Sequence, residues 1–468
     1  MPLRSLVVAL AATTLGACTT LIPAFERPAA PVPASFPLAQ PSEASAVAPL
    51  ADTIAWRDYF ADERLREVIA LALDNNRDLR IAALNIERAR AQYGIQRADL
   101  LPSIAVSGGQ SAQRVPGDLS MSGDSTVSRQ YSANLGFAAY ELDFFGRVRS
   151  LEEQALQSYL GTQEARRSAQ ISLVAEVANA WLRLAADRER LALARSTLET
   201  RQQSVELVRR SLELGAVSAL DLNQAETLRQ TARADVARYT ALVAQAENAL
   251  ALVVGAAVPA AWLPQSLNEV VAAVPELPAG LPSEVLTRRP DILQAERALM
   301  AANASIGAAR AAFFPRITLT ATAGTASSTL DGLFDGGSGA WSFVPQLRLP
   351  IFEAGRLQAS LDLAEIQRDI NVAQYEKAVQ AAFREVADAL AERSTLTEQL
   401  DARRALLQAT EKSFELSEAR YRGGVDSYLT LLDAQRSLYG AQMELIGTRQ
   451  SDANNRVALY KALGGGWQ

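Results

Sequence analysis

The sequence predicts a membrane β-barrel joined to long α-helical coiled-coil rods, built from a tandem-duplicated protomer with four strands and six main helices. Three observations predict it: an internal repeat, a sustained seven-residue apolar period, and four strand-length stretches of alternating polarity. The repeat is visible without a gap. Residues 76–102 align on residues 289–315 at an offset of 213, with Asp78 against Asp291 and Pro102 against Pro315. Further on the offset is 209, pairing Glu176 with Glu385, Gly215 with Gly424 and Gly255 with Gly464. Solenoid repeats run to about 20–50 residues, so this is a doubled half-domain.

In chain order, the start reads as an export signal. Met1-Pro2-Leu3-Arg4 is positive, and Leu6 to Ala12 is an apolar run too short to span a bilayer. Leu15-Gly16-Ala17-Cys18 follows. It resembles a bacterial lipobox, in which the cysteine thiol is the nucleophile that accepts diacylglycerol. A plain secretory signal with a chance cysteine is the alternative. On the lipoprotein pattern, Thr19 in place of Asp favours the outer membrane over inner-membrane retention. Residues 1–17 are then the signal, and 18–60 a lipid-anchored tether with an equatorial segment; 23–50, rich in Pro, Ala and Ser, reads as extended.

The first repeat is expected at 61–257, with strands near 103–112 and 130–143 and helices near 148–212 and 218–254. A linker at 258–285 carries Pro259, Pro264, Pro275, Pro278 and Pro282. The second repeat is expected at 286–464, with strands near 316–325 and 340–349 and helices near 355–421 and 428–463; 465–468 ends the chain. The helices rest on period. Val177, Leu184, Leu191, Leu198, Val205 and Leu212 recur every seventh residue, and Val386, Leu400, Leu407, Phe414 and Tyr421 repeat the pattern, interrupted at Arg393. No proline lies between Pro116 and Pro259 or after Pro350. A helix of that extent runs on the order of 100 Å at 1.5 Å per residue, too long for a compact core.

The strands rest on alternation. Tyr131, Ala133, Leu135 and Phe137 alternate with Ser132, Asn134 and Gly136; Ile317, Leu319 and Ala321 alternate with Thr318, Thr320 and Thr322. Ile104 and Val106 alternate with Ser103, Ala105 and Ser107, and Trp341, Phe343, Leu347 and Leu349 with Ser342, Gln346 and Arg348. About 9 to 11 residues suffice for one tilted membrane crossing. The Gly-, Ser- and Asp-rich stretches 114–129 and 325–339 suit the outer loops. Four strands cannot close a barrel, and lipid does not tolerate open edges, so several chains must share one. A small soluble sheet lying half-buried against the rods is the alternative.

Composition excludes other classes. The net charge is −6 with no basic block, which disfavours nucleic acid. There is no histidine and one cysteine, so histidine triads, the usual zinc sites and intrachain disulfides are excluded. No nucleophile–base constellation points to an enzyme, and no cofactor or metal is expected.

The lipobox, the doubled strand–strand–helix–turn–helix unit and two further motifs carry a family resemblance. The motifs are Tyr421-Arg422-Gly423-Gly424-Val425-Asp426-Ser427-Tyr428-Leu429-Thr430-Leu431-Leu432-Asp433-Ala434-Gln435-Arg436 and the ending Tyr460-Lys461-Ala462-Leu463-Gly464-Gly465-Gly466-Trp467. Together, over about 50 to 467, the chain resembles the TolC family of outer membrane factors, within it the OprM/NodT type of efflux lipoprotein. The resemblance implies a homotrimer with a twelve-stranded outer-membrane barrel and a periplasmic helical tunnel. It further implies a periplasmic membrane-fusion adaptor and an inner-membrane RND-type transporter as partners, with passive conduction of drugs or other compounds. A periplasmic coiled-coil adaptor or scaffold lipoprotein, with no channel, would have the hairpins but would not need the four strands.

A duct also needs a closed state, and closure belongs at the helix tips. Leu429 and Asp433 lie one helical turn apart. By resemblance they form an apolar ring beside an acidic ring, while Arg420 and Tyr421 tie neighbouring tip helices, with Asp221 as partner for the arginine. A solvated carboxylate at Asp433, a helix cap at Asp426 and dipole stabilisation at Asp221 are the plainer readings. The adaptor contacts are expected at Gly215, Ala216, Val217 and Ser218 beside Leu214, and at Gly423, Gly424, Val425 and Ser427. Glycine simply making the turn is compatible with that role. The sequence does not name the cargo. Met121, Met300 and Met443 are the only methionines beyond the first residue, too few for a methionine-lined metal path.

Overall fold

The computed structural model describes residues 20–36, 53–121, 123–267 and 283–467. Cys18, the signal, residues 37–52 of the tether, and linker prolines Pro275, Pro278 and Pro282 lie outside the described residues. Seven longer helices and four strands follow in order: α1 Glu63–Asn75, α2 Arg77–Ala98, β1 Ala105–Val115, β2 Thr126–Leu142, α3 Arg147–Glu213, α4 Ala219–Val254, α5 Pro290–Ala311, β3 Arg316–Ser327, β4 Gly339–Arg348, α6 Arg356–Arg422 and α7 Tyr428–Ala462. A short turn of helix, Trp56–Tyr59, precedes α1. The duplication is quantitative: α3 and α6 have 67 residues each, and α2 and α5 have 22 each. Among the described residues no helix is long and apolar enough to cross a membrane, a statement that leaves the strands untouched.

The chain divides into two compact units, and α2, α3, α5 and α6 contribute to both. One unit holds the sheet, with residues Asn85–Gln163, Gln294–Tyr375 and the segment up to Ala29. Its four strands are antiparallel in the order β1-β2-β3-β4. Because partners directly opposite share a face, the register sorts the side chains. Val106, Leu135, Ala323 and Trp341 line up across the sheet, as do Phe137, Ala321 and Phe343. The other face carries Ser107, Asn134, Thr318, Thr320, Thr322, Ser342 and Gln346, with Thr322 and Ser342 hydroxyls 2.8 Å apart. The apolar face is uncovered: Val106 is 80% and Trp341 81% exposed. A sheet half-buried against the rods would instead have this face covered by the described helices.

The sheet is drawn tight at Gly136, where a Cβ would collide with the Ala321 carbonyl oxygen of β3. A register shift between Phe137 and Tyr140 places Ala139 at φ 53 and lets its N–H bond Thr320 Oγ1 at 3.0 Å. β2 begins four residues before the expected start, inside the stretch read as loop, because Thr126 to Arg129 pair with the extended end of β1. At the other end of the sheet, Glu141 accepts from Arg147 at 2.8 and 2.6 Å and from Arg316 at 2.6 Å. This carboxylate ties β2, β3 and the start of α3.

In the same unit the described part of the N-terminal segment lies against α5. Arg27 grips buried Glu296 through two bonds of 2.8 and 3.0 Å, Asn303 donates to the Pro23 carbonyl at 2.8 Å, and Ile22 abuts Gly307. Small and polar residues along α5 give the extended chain a bed, so it docks.

The second unit holds residues 30–84, 164–293 and 376–468. Its core gathers Tyr59, Phe60, Leu65, Ile69, Trp181, Leu182, Leu184, Leu250 and Tyr460, all buried. Tyr59 and Tyr460 stack at 3.9 Å, and their hydroxyls donate to the carbonyls of Arg456 and Ile54. Trp181 Nε1 donates to the Trp262 carbonyl at 3.0 Å, which satisfies a fully buried indole. Arg289, almost wholly enclosed, reaches the Ala462 carbonyl and the carboxylates of Asp291 and Glu385, closing the end of α7. Phe36 stacks on Phe383. The seven-residue seam faces inward at Val177, Leu184, Leu191, Val205, Val386 and Leu400. Its interruption has a cause: Arg393 reaches buried Asp452 at 2.5 Å, and Arg456 bonds the same carboxylate at 2.8 Å. The break is an ion-pair node.

Candidate gate and docking tips

Each long hairpin turns on a glycine in the left-handed region, Gly215 at φ 73 and Gly424 at φ 72, where a side chain would be strained. At the first tip Gly215 N–H donates to the Leu212 carbonyl and Ala216 N–H to that of Ser211, so the last carbonyls of α3 are satisfied. Ser218 then caps α4 in a reciprocal box: its Oγ accepts from Asp221 N–H at 3.3 Å, and Asp221 accepts from Ser218 N–H at 2.9 Å. The second tip repeats the turn, with Gly424 N–H on Tyr421 and Val425 N–H on Arg420. It differs in its cap. Ser427 takes the N-cap position without a side-chain cap bond, its hydroxyl 3.3 Å from that of Thr430.

The acid of the second tip is used differently. Asp426 accepts two bonds from Arg420, at 2.6 and 2.8 Å, across the glycine turn. That bonding holds the Asp426 carboxyl below its ordinary value and raises the Arg420 guanidinium. Within one chain, therefore, Arg420 pairs with Asp426 rather than with Asp221, whose carboxylate is occupied by its own cap. Each tip thus carries its own local lock within the chain. Nor is Asp426 the cap of α7.

Packing decides which residues of α7 face where. Tyr428, Leu431 and Leu432 are buried in a cluster with Val205, Val208, Ala225 and Leu228, and Tyr421 packs onto it. The Tyr421 and Tyr428 rings lie 5.4 Å apart; burial pushes the Tyr428 phenol up to about 12. Burial, with the charge of Asp221 nearby, also raises Tyr421. The 3.6-residue period then leaves Leu429 and Asp433 on the opposite, exposed face. Asp433 is 67% exposed, and among the described residues its ion partner is Arg436 at 3.6 Å. Leu214, Gly215, Ala216 and Ser218, with Gly423, Gly424, Val425 and Ser427, are exposed at the two tips; Val217 is half-buried against the cluster. The structure thus brings Arg420, Tyr421 and Asp426 together, keeps Asp221 on its own cap, and presents Leu429 and Asp433 to whatever lies opposite. Arg436 was missed by the sequence reading. Its spacing three residues after Asp433 on a helix was the available signal.

Comparison with known proteins accords with this geometry. The family model described as outer membrane efflux protein matches residues 68–256 and again 281–465, once per repeat. The toluene efflux pump outer membrane protein TtgC and the antibiotic efflux pump outer membrane protein ArpC, both of Pseudomonas putida, are each 53% identical over 463 residues, covering 98% of this chain and 95% of the relative. Outer membrane protein OprJ of Pseudomonas aeruginosa is 47% identical over 458 residues, with 98% and 95% covered. Among solved structures, the open state of the Neisseria gonorrhoeae MtrE outer membrane channel superposes with a TM-score of 0.86 at 42% identity, covering 96% of this chain and 99% of that one.

Proposed function

The chain belongs to the outer membrane efflux protein family, and we propose that three copies close a twelve-stranded barrel continued by a gated helical duct. It is an outer-membrane channel of an efflux system. On our reading it works with a periplasmic membrane-fusion adaptor and an inner-membrane RND-type transporter, as a conduit without catalysis. The observation that carries the closed barrel is the sheet: one face apolar and uncovered, the other hydroxyl-rich, with β1 and β4 unpaired at their outer edges among the described residues. Lipid against the first face and water against the second account for both.

The gate we assign to Leu429 and Asp433, exposed one turn apart on α7, with Arg420, Tyr421 and Asp221 fixing the tips behind them. The adaptor contacts we assign to the two exposed glycine tips, at Gly215 to Ser218 and at Gly423 to Ser427 beside the Arg420–Asp426 lock. Their small residues let another helical hairpin approach closely. Cys18 we assign as the lipidated residue that anchors the chain to the outer membrane. The relatives' names divide between antibiotic and toluene pumps at equal identity. Small apolar or amphiphilic compounds are therefore the proposed cargo, with selection resting on the transporter. The test is complementation: a strain lacking its own outer-membrane component regains solvent and antibiotic tolerance when this chain is supplied with its adaptor and transporter. Full tolerance with Gly424→Pro, which cannot adopt the required turn, would remove the tips from the docking role.

A further inference from the structure

One cationic side chain in the helical unit has no place in the duct account. Arg201, on α3, is only 6% exposed, yet among the described residues its Nη1 has no hydrogen-bond partner and no carboxylate acts on it. The charged or titratable groups it senses are Tyr428 and Arg436, the second of like sign. Burial lowers its proton affinity from the ordinary value. An enclosed guanidinium without a counterion is among the costlier arrangements a protein can hold. Beside it lies a cavity of about 170 Å³, walled by α3, α6 and α7. Ser196, Thr197, Gln435, Tyr439 and Gln442 line it with Arg201, and no carboxylate does. Gln435 is 7% exposed, and its amide oxygen is a second buried polar atom without a partner.

We propose that this cavity is a binding site for a small oxoanion of carboxylate or phosphate type, held by the Arg201 fork and the Gln435 amide. The planar guanidinium offers paired N–H donors matched to two oxygens of such a group. The hydroxyls of Ser196 and Thr197 are at hand for the remaining oxygens. The volume admits an inorganic phosphate or a short carboxylate and excludes a lipid or a polypeptide segment. Seated there, the anion bridges α3, which leads to the first tip, and α7, which carries Asp433. It thereby ties together the two hairpins behind the gate.

The experiment uses the detergent-purified full-length protein. Its thermal unfolding is followed while inorganic phosphate, or in a second arm acetate, replaces chloride at constant ionic strength. The wild type is expected to show a saturating rise in Tm of about 2 to 4 °C with at least one of the two anions. The arm that saturates at the lower concentration assigns phosphate or carboxylate as the preferred group. Arg201→Met is expected to lose the response and, in chloride alone, to be at least as stable as the wild type, because an unpaired buried charge is gone. Arg201→Lys keeps the charge without the fork and is expected to shift the midpoint about tenfold upward, which reads the site even if the methionine variant fails to assemble. No anion-specific rise in the wild type, or the same rise in both variants, would overturn the proposal.

Discussion

Replacing Asp433 by alanine is the perturbation that bears most directly on closure. The residue is exposed on α7, opposite the buried Leu431 and Leu432, and among the described residues its ion partner is Arg436 at 3.6 Å. Three such carboxylates around a threefold axis, about 8 Å apart, repel by about 2 kcal/mol per pair at an effective dielectric near 20. A surface pair such as Asp433–Arg436 returns about 0–1 kcal/mol, so the ring keeps most of its negative potential. In the proposed gate such a ring holds cations, and cation plus carboxylate fill the constriction. Asp433→Ala removes both, and single-channel conductance in a planar bilayer is expected to rise. Charge and volume separate with Asp433→Asn, which keeps the size. At low salt the asparagine variant is expected to approach the alanine one. At about 1 M salt, where the Debye length is about 3 Å, its conductance returns toward the wild type while alanine stays high. Unchanged conductance for both variants at every salt concentration would refute the gating role and leave the duct intact.

Other outcomes follow from the same geometry. Leu432→Ala, at a fully buried position, is expected to cost about 2–5 kcal/mol, seen as a lower Tm, whereas exposed Leu429→Ala leaves Tm unchanged and raises conductance. The Arg420–Asp426 lock depends on a carboxyl depressed below its ordinary value of 3.8 by the guanidinium bonded to it. A depressed group contributes fully above that value and loses its contribution as pH falls through the depressed one. Conductance changes owing to this lock are thus expected only below pH 3.8, and Asp426→Asn should reproduce the acid state at neutral pH. Gly136→Val would drive a side chain into the Ala321 carbonyl on β3. It should abolish heat-sensitive oligomers on a denaturing gel.

The duplication, rods and alternating strands were legible because each is a periodic burial demand repeated over many residues. Thr126 to Arg129 escaped because one valine among three polar residues is too short a pattern to show a sustained alternation. The kink at Ala139 escaped because nothing in an alanine announces a positive φ. Docking of residues 20–29 was illegible, since Pro, Ala and Ser serve a bedded chain as well as a solvated one. At the tips, the seven-residue seam showed where the hairpins end but not how the acids are shared. The Ser218–Asp221 spacing is that of a capping box, which was the sign that Asp221 was already occupied. Arg393 was visible as a break in the seam; its partner Asp452 sits on another helix and has no local signature. Arg201 gave no signal at all, because an arginine on a long charged helix is ordinary until its surroundings are known.

On the proposed function the exposed apolar sheet face lies against the outer membrane and the hydroxyl-rich face lines a conducting duct. The most direct measurement is single-channel recording of the purified mature protein in a planar bilayer. The account predicts detergent-dependent solubility, insertion, and discrete openings that are small or intermittent at rest. A lipid-free form that stays soluble without detergent and never inserts would contradict it, leaving a periplasmic scaffold in its place.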